Sequence, residues 1–227
     1  MRVLTKPISS ITPFTLLDYP HKAACILWYA GCNMRCLYCY NPEIVLGKGT
    51  ISFDAVLAFL DKRKGLLNAV VFSGGECMIH KNIAENIKKV KELGFLVKID
   101  TNGSKPELLQ QLIEEKAVDY VALDFKALPS KFESITQSNL YDSFEKSFEI
   151  LLKSNVPFEV RTTYHSELIS VEEISEMTSF LKKNKYTGNY YIQHFRNDTP
   201  TLGNLPNSYV SLNDKKIENN SIPIIFR

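Results

Sequence analysis

Ala24-Cys25-Ile26-Leu27-Trp28-Tyr29-Ala30-Gly31-Cys32-Asn33-Met34-Arg35-Cys36-Leu37-Tyr38-Cys39 carries two signals back to back. Its first six residues are a short apolar run, the kind a buried parallel strand requires. Its last eight hold three cysteines in the spacing Cys-x-x-x-Cys-x-x-Cys. Parallel βα folds build their sites in this way, with reactive groups at the carboxyl ends of the strands.

The strand signal recurs along the chain. Further apolar runs lie at 69–72, 95–99, 120–125, 158–160 and 190–192. Amphipathic stripes at three-to-four-residue spacing separate them: Phe53/Val56/Leu57/Leu60, Ile83/Ile87/Val90, Leu108/Leu109/Leu112/Ile113, Phe144/Phe148/Leu151/Leu152 and Ile174/Met177/Leu181. Capping boxes are expected at Ser104/Glu107, Asp142/Glu145 and Ser170/Glu173, with Pro106 in a first helical turn. Strand–helix alternation predicts right-handed parallel crossovers. Six strands are too few for a closed eight-stranded barrel, so the expected fold is α/β, a partial open (β/α)6 barrel. One domain over 1–227 is expected, with a core at about 22–196 and a tail at 197–227 whose Ile222-Pro223-Ile224-Ile225-Phe226 reads as an edge strand.

Composition narrows the function. Hydrophobic residues make up 44% and charged residues 23%, enough for a sizeable core, and a net charge of +2 gives no field for nucleic acid or a membrane surface. The start has no signal-peptide pattern and no run approaches bilayer length, so the expected compartment is the cytoplasm. Five cysteines, an odd number, argue against a disulfide framework. Clustered thiols kept reduced read as metal ligands.

Three thiolates can hold three irons of a [4Fe–4S] cube and leave the fourth iron open, whereas an electron-transfer cluster uses four cysteines. The alternative is a zinc site with His21 as fourth ligand, although no second cysteine pair follows downstream. Cys25 reads as a small core residue, and Cys77 as a core filler first and a reactive thiol near the mouth second. All six runs end in polar groups: the cysteine loop, Ser73-Gly74-Gly75-Glu76, Asp100-Thr101-Asn102-Gly103, Asp124 with Lys126, Arg161-Thr162-Thr163 and Gln193-His194-Phe195-Arg196. Their convergence on one mouth predicts an active site. Asp100 and Asp124 have three readings: pairing with Lys98 or Lys126, accepting from ribose hydroxyls, or holding a cation.

The segment from Cys32 to Glu43 resembles the cluster loop of radical S-adenosylmethionine enzymes. Its wording from Met34 to Asn41 is similar to that of the activating enzymes of glycyl radical enzymes, such as those of pyruvate formate-lyase and anaerobic ribonucleoside-triphosphate reductase. Leu17-Asp18-Tyr19-Pro20, Ser73-Gly74-Gly75-Glu76, Asp100-Thr101-Asn102-Gly103 and Leu123-Asp124-Phe125-Lys126 resemble further motifs of that group, as do the ends at Arg161 and Gln193. Tyr40, where these activases often have His, and Cys77, where Pro or Ala is usual, depart from it.

The resemblance implies a cluster on Cys32, Cys36 and Cys39 and S-adenosylmethionine as cofactor. Tyr38 would lie near the adenine, and Gly74, Gly75 and Glu76 at the methionine amino group. Ser73, Asp100, Asn102, Arg161, Gln193 and Arg196 would complete the cofactor site, and Asp100, Thr101 and Asp124 would hold a monovalent cation. It implies reductive cleavage of the cofactor to a 5′-deoxyadenosyl radical, driven by a low-potential donor such as flavodoxin or ferredoxin. The expected substrate is a glycine of a partner enzyme, anaerobic ribonucleoside-triphosphate reductase first. A small-molecule enzyme resembling 7-carboxy-7-deazaguanine synthase is the alternative.

Overall fold

The computed structural model describes residues 6–210, 212, 217 and 222–227. The polar start at 1–3 and the tail positions 211, 213–216 and 218–221 lie outside the described residues. Eight strands form one sheet in sequential order: β1 (Ile8–Thr15), β2 (Ala24–Tyr29), β3 (Ala69–Gly74), β4 (Leu96–Thr101), β5 (Tyr120–Asp124), β6 (Phe158–Tyr164), β7 (Tyr190–His194) and β8 (Ile224–Phe226). β2 through β7 are parallel and correspond to the six predicted runs. β8 pairs parallel with β7 at the expected tail segment. The sheet is a partial barrel, with β1 and β8 as its edges.

β1 is the strand the sequence reading missed. It runs antiparallel to β2, with irregular register around Pro13. Ile8 is its one fully buried residue, and the rest is Ser, Thr and half-exposed side chains. An edge strand with one face in solvent needs no apolar run and tolerates proline.

Seven helices connect the strands: α1 (Pro42–Leu46), α2 (Phe53–Asp61), α3 (Ile83–Glu92), α4 (Pro106–Glu114), α5 (Pro129–Thr136), α6 (Tyr141–Lys153) and α7 (Val171–Lys183). The five stripes match α2, α3, α4, α6 and α7. α1 and α5 are too short to show a stripe, and each opens with a proline in its first turn. Of the three capping boxes only Ser170/Glu173 forms. Ser104 instead accepts from Asn33 Nδ2 at 2.8 Å, and α4 begins after Lys105. Asp142 lies inside α6, one residue past its start. In both cases a tertiary contact or an earlier helix start displaced the local motif.

The core lies between sheet and helices. Phe125, Phe144 and Phe148 stack within it at ring separations of 4.8 and 6.3 Å, and full burial of each contributes about 2–3 kcal/mol. Inside the barrel, Lys98 and Glu159 are almost fully buried and lie 3.5 Å apart. Lys98 also donates to the Asp18 carbonyl, and Tyr120 donates to Glu159 Oε2 at 3.2 Å. These pairings meet the requirement that a buried charge be compensated. No helix of the described residues is long and apolar enough to cross a membrane.

Candidate active site

The cysteine loop leaves β2 and is tied to three distant parts of the chain. Arg35 N–H and Leu37 N–H donate to the carbonyls of Thr136 (2.8 Å) and Ile135 (3.0 Å) at the end of α5. Leu202 N–H and Gly203 N–H donate to the carbonyls of Cys39 (2.9 Å) and Leu37 (2.8 Å). Tyr40 Oη accepts from Arg196 N–H at 2.6 Å and stacks near Phe195. The loop is therefore clamped between α5 and the tail.

The loop faces a cavity of ≈ 150 Å³ at the carboxyl ends of the strands. Cys32, Cys36 and Cys39 line it together with Tyr38, Ser73, Gly74, Gly75, Asp100, Thr101, Asn102, Asp124, Lys126 and Arg161. Five of the six strand ends thus meet as the sequence predicted. Gly74 has φ +124°, and a Cβ there would run into the Tyr29 backbone, so the strand ends can approach each other only through glycine.

Three predicted site residues sit elsewhere. Gln193 and Arg196, at the end of β7, do not line the cavity; Arg196 is exposed and its side chain pairs with Asp198. Glu76 is 1% exposed and also lies outside the lining. Its carboxylate accepts from Met78 N–H (3.0 Å), Asn102 N–H (2.7 Å) and Thr101 Oγ1 (3.1 Å). Burial pushes the Glu76 carboxyl up to about 7, against the pull of those hydrogen bonds. It braces the loops after β3 and β4.

The carboxylates offered to a cation are engaged by Arg161. The guanidinium lies 3.4 Å from Asp100 Oδ2 and 3.0 Å from Asp124 Oδ1. Burial opposes ionisation of Asp124, but the charges of Arg161 and Lys126 overcome it and hold this carboxyl below its ordinary value. Lys126 lies 3.2 Å from Asp124 and 5.9 Å above the Tyr38 ring. Thr101 Oγ1 donates to Glu76. Lys98 lies 3.4 Å from Asp100 Oδ1 without making a hydrogen bond, so this oxygen is the one buried side-chain acceptor among the described residues left without a donor.

Burial pushes the Cys32 thiol up to about 12 and also raises Cys36, so both stand as neutral thiols that metal ligation would deprotonate. Cys25 and Cys77 are fully buried away from the cavity. Cys77 Sγ faces the carbonyls of Phe72 and Asp100, which gives it the core role expected. His21 does not line the cavity.

The sequence reading missed Asn33, which donates to Ser104 at 2.8 Å and accepts from Asn102 Nδ2 at 2.9 Å, linking the cysteine loop to the end of β4. Its place inside the cysteine triplet was the available signal. It also missed Leu202 and Gly203, for which no local signal exists.

The residues present fit an iron–sulfur cluster and a polar cofactor. Cys32, Cys36 and Cys39 all line the cavity and supply soft donors, while among the described residues no three such groups are already drawn together as an assembled metal site. Ser73, Asn102 and the unsatisfied Asp100 oxygen supply polar contacts opposite.

The model of the Radical SAM superfamily matches residues 26–188, and the chain belongs to this superfamily of enzymes. The family implies a [4Fe–4S] cluster and S-adenosylmethionine. A Methanocaldococcus jannaschii protein that carries the provisional name glycyl-radical enzyme activating enzyme is 33% identical over 77% of this chain and 75% of its own length. The pyruvate formate-lyase-activating enzyme of Clostridium pasteurianum is 30% identical over 63% of each chain. Streptococcus suis SuiB bound to S-adenosylmethionine shares the fold, with a TM-score of 0.64 and 17% identity over 81% of this chain. The chain spans 45% of SuiB's length.

Proposed function

We propose that the protein is an activase that generates a glycyl radical on a partner enzyme, with anaerobic ribonucleoside-triphosphate reductase as the first partner to test. The observation that carries the reading is the single cavity where the three thiols meet Ser73–Gly75 and Asp100–Asn102. Similarity to two proteins named as activating enzymes supports the choice of a protein substrate.

A reduced cluster, when bound, would supply the electron that splits the sulfonium S–C bond of S-adenosylmethionine into methionine and a 5′-deoxyadenosyl radical. Cys32, Cys36 and Cys39 hold the irons, and the backbone of Gly74 and Gly75 admits the methionine end close to the strand tips. Asp100 lines the cavity with its Oδ1 beside Lys98, and Tyr38 supplies an apolar wall whose place is fixed under Lys126. Arg161 holds Asp124 ionised and fixes the direction of both Asp100 and Asp124. Glu76 positions the loops after β3 and β4. The clamped cysteine loop limits water at the reacting centre.

The test mixes reduced protein, S-adenosylmethionine and the reductase without oxygen. Electron paramagnetic resonance should show a glycine-centred doublet that disappears when the partner glycine is changed to Ala. Consumption of a small purine with no radical on any partner would replace this reading by the 7-carboxy-7-deazaguanine synthase-like one.

A further inference from the structure

A second recess lies behind the cysteine loop. It encloses ≈ 700 Å³, several times the volume of the cavity in front. Lys6, Lys48 and Lys81 line it, with His80 and Asn82, and no Asp or Glu does. None of the three lysines makes an ion pair among the described residues. Asn82 precedes α3 without capping it by a side chain, and Glu85 in the first turn of that helix stays outside the lining. The whole chain carries a net charge of only +2, so this concentration of uncompensated charge is local.

The floor of the recess is Ala30, whose carbonyl accepts from His80 Nε2 at 2.9 Å. Cys32, two residues on, lines the front cavity. The segment from Ala30 to Cys32 therefore has the basic recess on one side and the thiol cavity on the other. Leu46, at the end of α1 beside the recess residues Gly47 and Lys48, is 62% exposed. An apolar residue next to a ring of unpaired lysines suits a protein surface better than a small anion.

We propose that this recess is the docking surface for an acidic electron-donor protein, which delivers one electron to the cluster through the Ala30–Cys32 side of the loop. The inference rests on the activase reading only in needing a cluster that must be reduced. One electron leaves the donor, the cluster gains it, and no bond forms or breaks. Such an encounter needs little buried area, and complementary charge governs its rate.

The experiment uses reconstituted holoprotein and a photoreduced flavodoxin of acidic surface, with cluster bleaching followed by stopped flow. The triple variant Lys6→Glu/Lys48→Glu/Lys81→Glu should lower the second-order rate by about tenfold or more at low ionic strength and flatten its fall with salt. Flavodoxin affinity, read by calorimetry, should fall in parallel. The Lys→Gln triple variant should lie between the two. Dithionite-driven cleavage of S-adenosylmethionine should stay at the level of the unmutated protein, and its failure there would count against the activase reading while calorimetry still reads docking. Unchanged flavodoxin rate, affinity and salt dependence in the Glu variant would overturn the proposal. So would loss of inorganic phosphate binding with flavodoxin reduction intact, which would make the recess a small-anion site.

Discussion

Asn102 N–H donates to Glu76 Oε2 at 2.7 Å, joining the loop after β4 to the loop after β3 beneath the cavity floor. The same carboxylate also takes Met78 N–H and Thr101 Oγ1. A buried acceptor with three donors holds the spacing between Ser73–Gly75 and Asp100–Asn102, the two polar edges of the site.

That brace makes stability depend on pH. The Glu76 carboxyl sits at about 7 in the fold against an ordinary value of 4.5, so between these values the native state binds more protons than the unfolded chain. Its contribution is full below pH 4.5 and is lost as pH rises through about 7, a swing of about 3 kcal/mol. Urea unfolding of cluster-free protein should show this decline, and Glu76→Gln should remove it. Parallel pH curves for the two proteins would contradict the assignment.

The cluster assignment is tested by iron content. Anaerobic reconstitution should give about four irons per chain, as a three-thiolate cube requires. Replacing Cys32, Cys36 and Cys39 together by Ala should remove the iron and its visible absorbance. Cys25→Ala and Cys77→Ala should retain both, since these thiols point into the core, with stability reduced by about 1 kcal/mol for the small void left. Iron retained in the triple variant would exclude the site.

Much of this was legible because the decisive signals are local. The six parallel strands are largely buried on both faces, so each holds a short, mostly apolar run, interrupted by Lys98 in β4 and Glu159 in β6, and the polar groups after five of the runs lie at the mouth. Cys32, Ser73, Asp100, Asp124 and Arg161 could be placed this way. What failed depended on contacts between distant residues. β1 is half in solvent and its pattern is polar. Ser104 was read as a cap, but Asn33 holds it from the cysteine loop. The burial of Glu76 and its two donors from the end of β4, Thr101 and Asn102, likewise have no local signal. Arg196 ends a strand yet points away, and Tyr40, which departs from the activase pattern, meets its backbone instead.

Arg161 holds two half-buried carboxylates, so its loss should be costly. Arg161→Met leaves Asp100 and Asp124 facing each other with only the charges of Lys98 and Lys126 nearby. Breaking a fully buried pair costs about 3–5 kcal/mol, and the partial exposure of both carboxylates should keep the loss below that. Chemical denaturation should show this loss, and Arg161→Lys, which keeps the charge but not the two-sided reach, should recover part of it. A destabilisation below about 1 kcal/mol for the Met variant would mean that Lys98 and Lys126 suffice, by the measure of exposed pairs.

The tail closes over the cysteine loop at a point that accepts only glycine. A Cβ on Gly203 would lie 2.9 Å from the Cα, Cβ and O of Leu37, all part of the loop itself. Backbone cannot yield as a flexible side chain does, so Gly203→Ala must push the tail outward and stretch the bonds from Leu202 and Gly203 to Cys39 and Leu37. Overpacking of this kind costs about 1–3 kcal/mol. The strain falls on the strap, so the expected result is local: trypsin should cut faster after the exposed Arg196, and oxygen should bleach the reconstituted cluster sooner. Asn204→Gly serves as the control, because Asn204 already has φ 48° and glycine relieves that conformation without touching Leu37. Its cleavage and bleaching rates should match those of the unmutated protein. If Gly203→Ala also matches them, the tail does not guard the cluster loop.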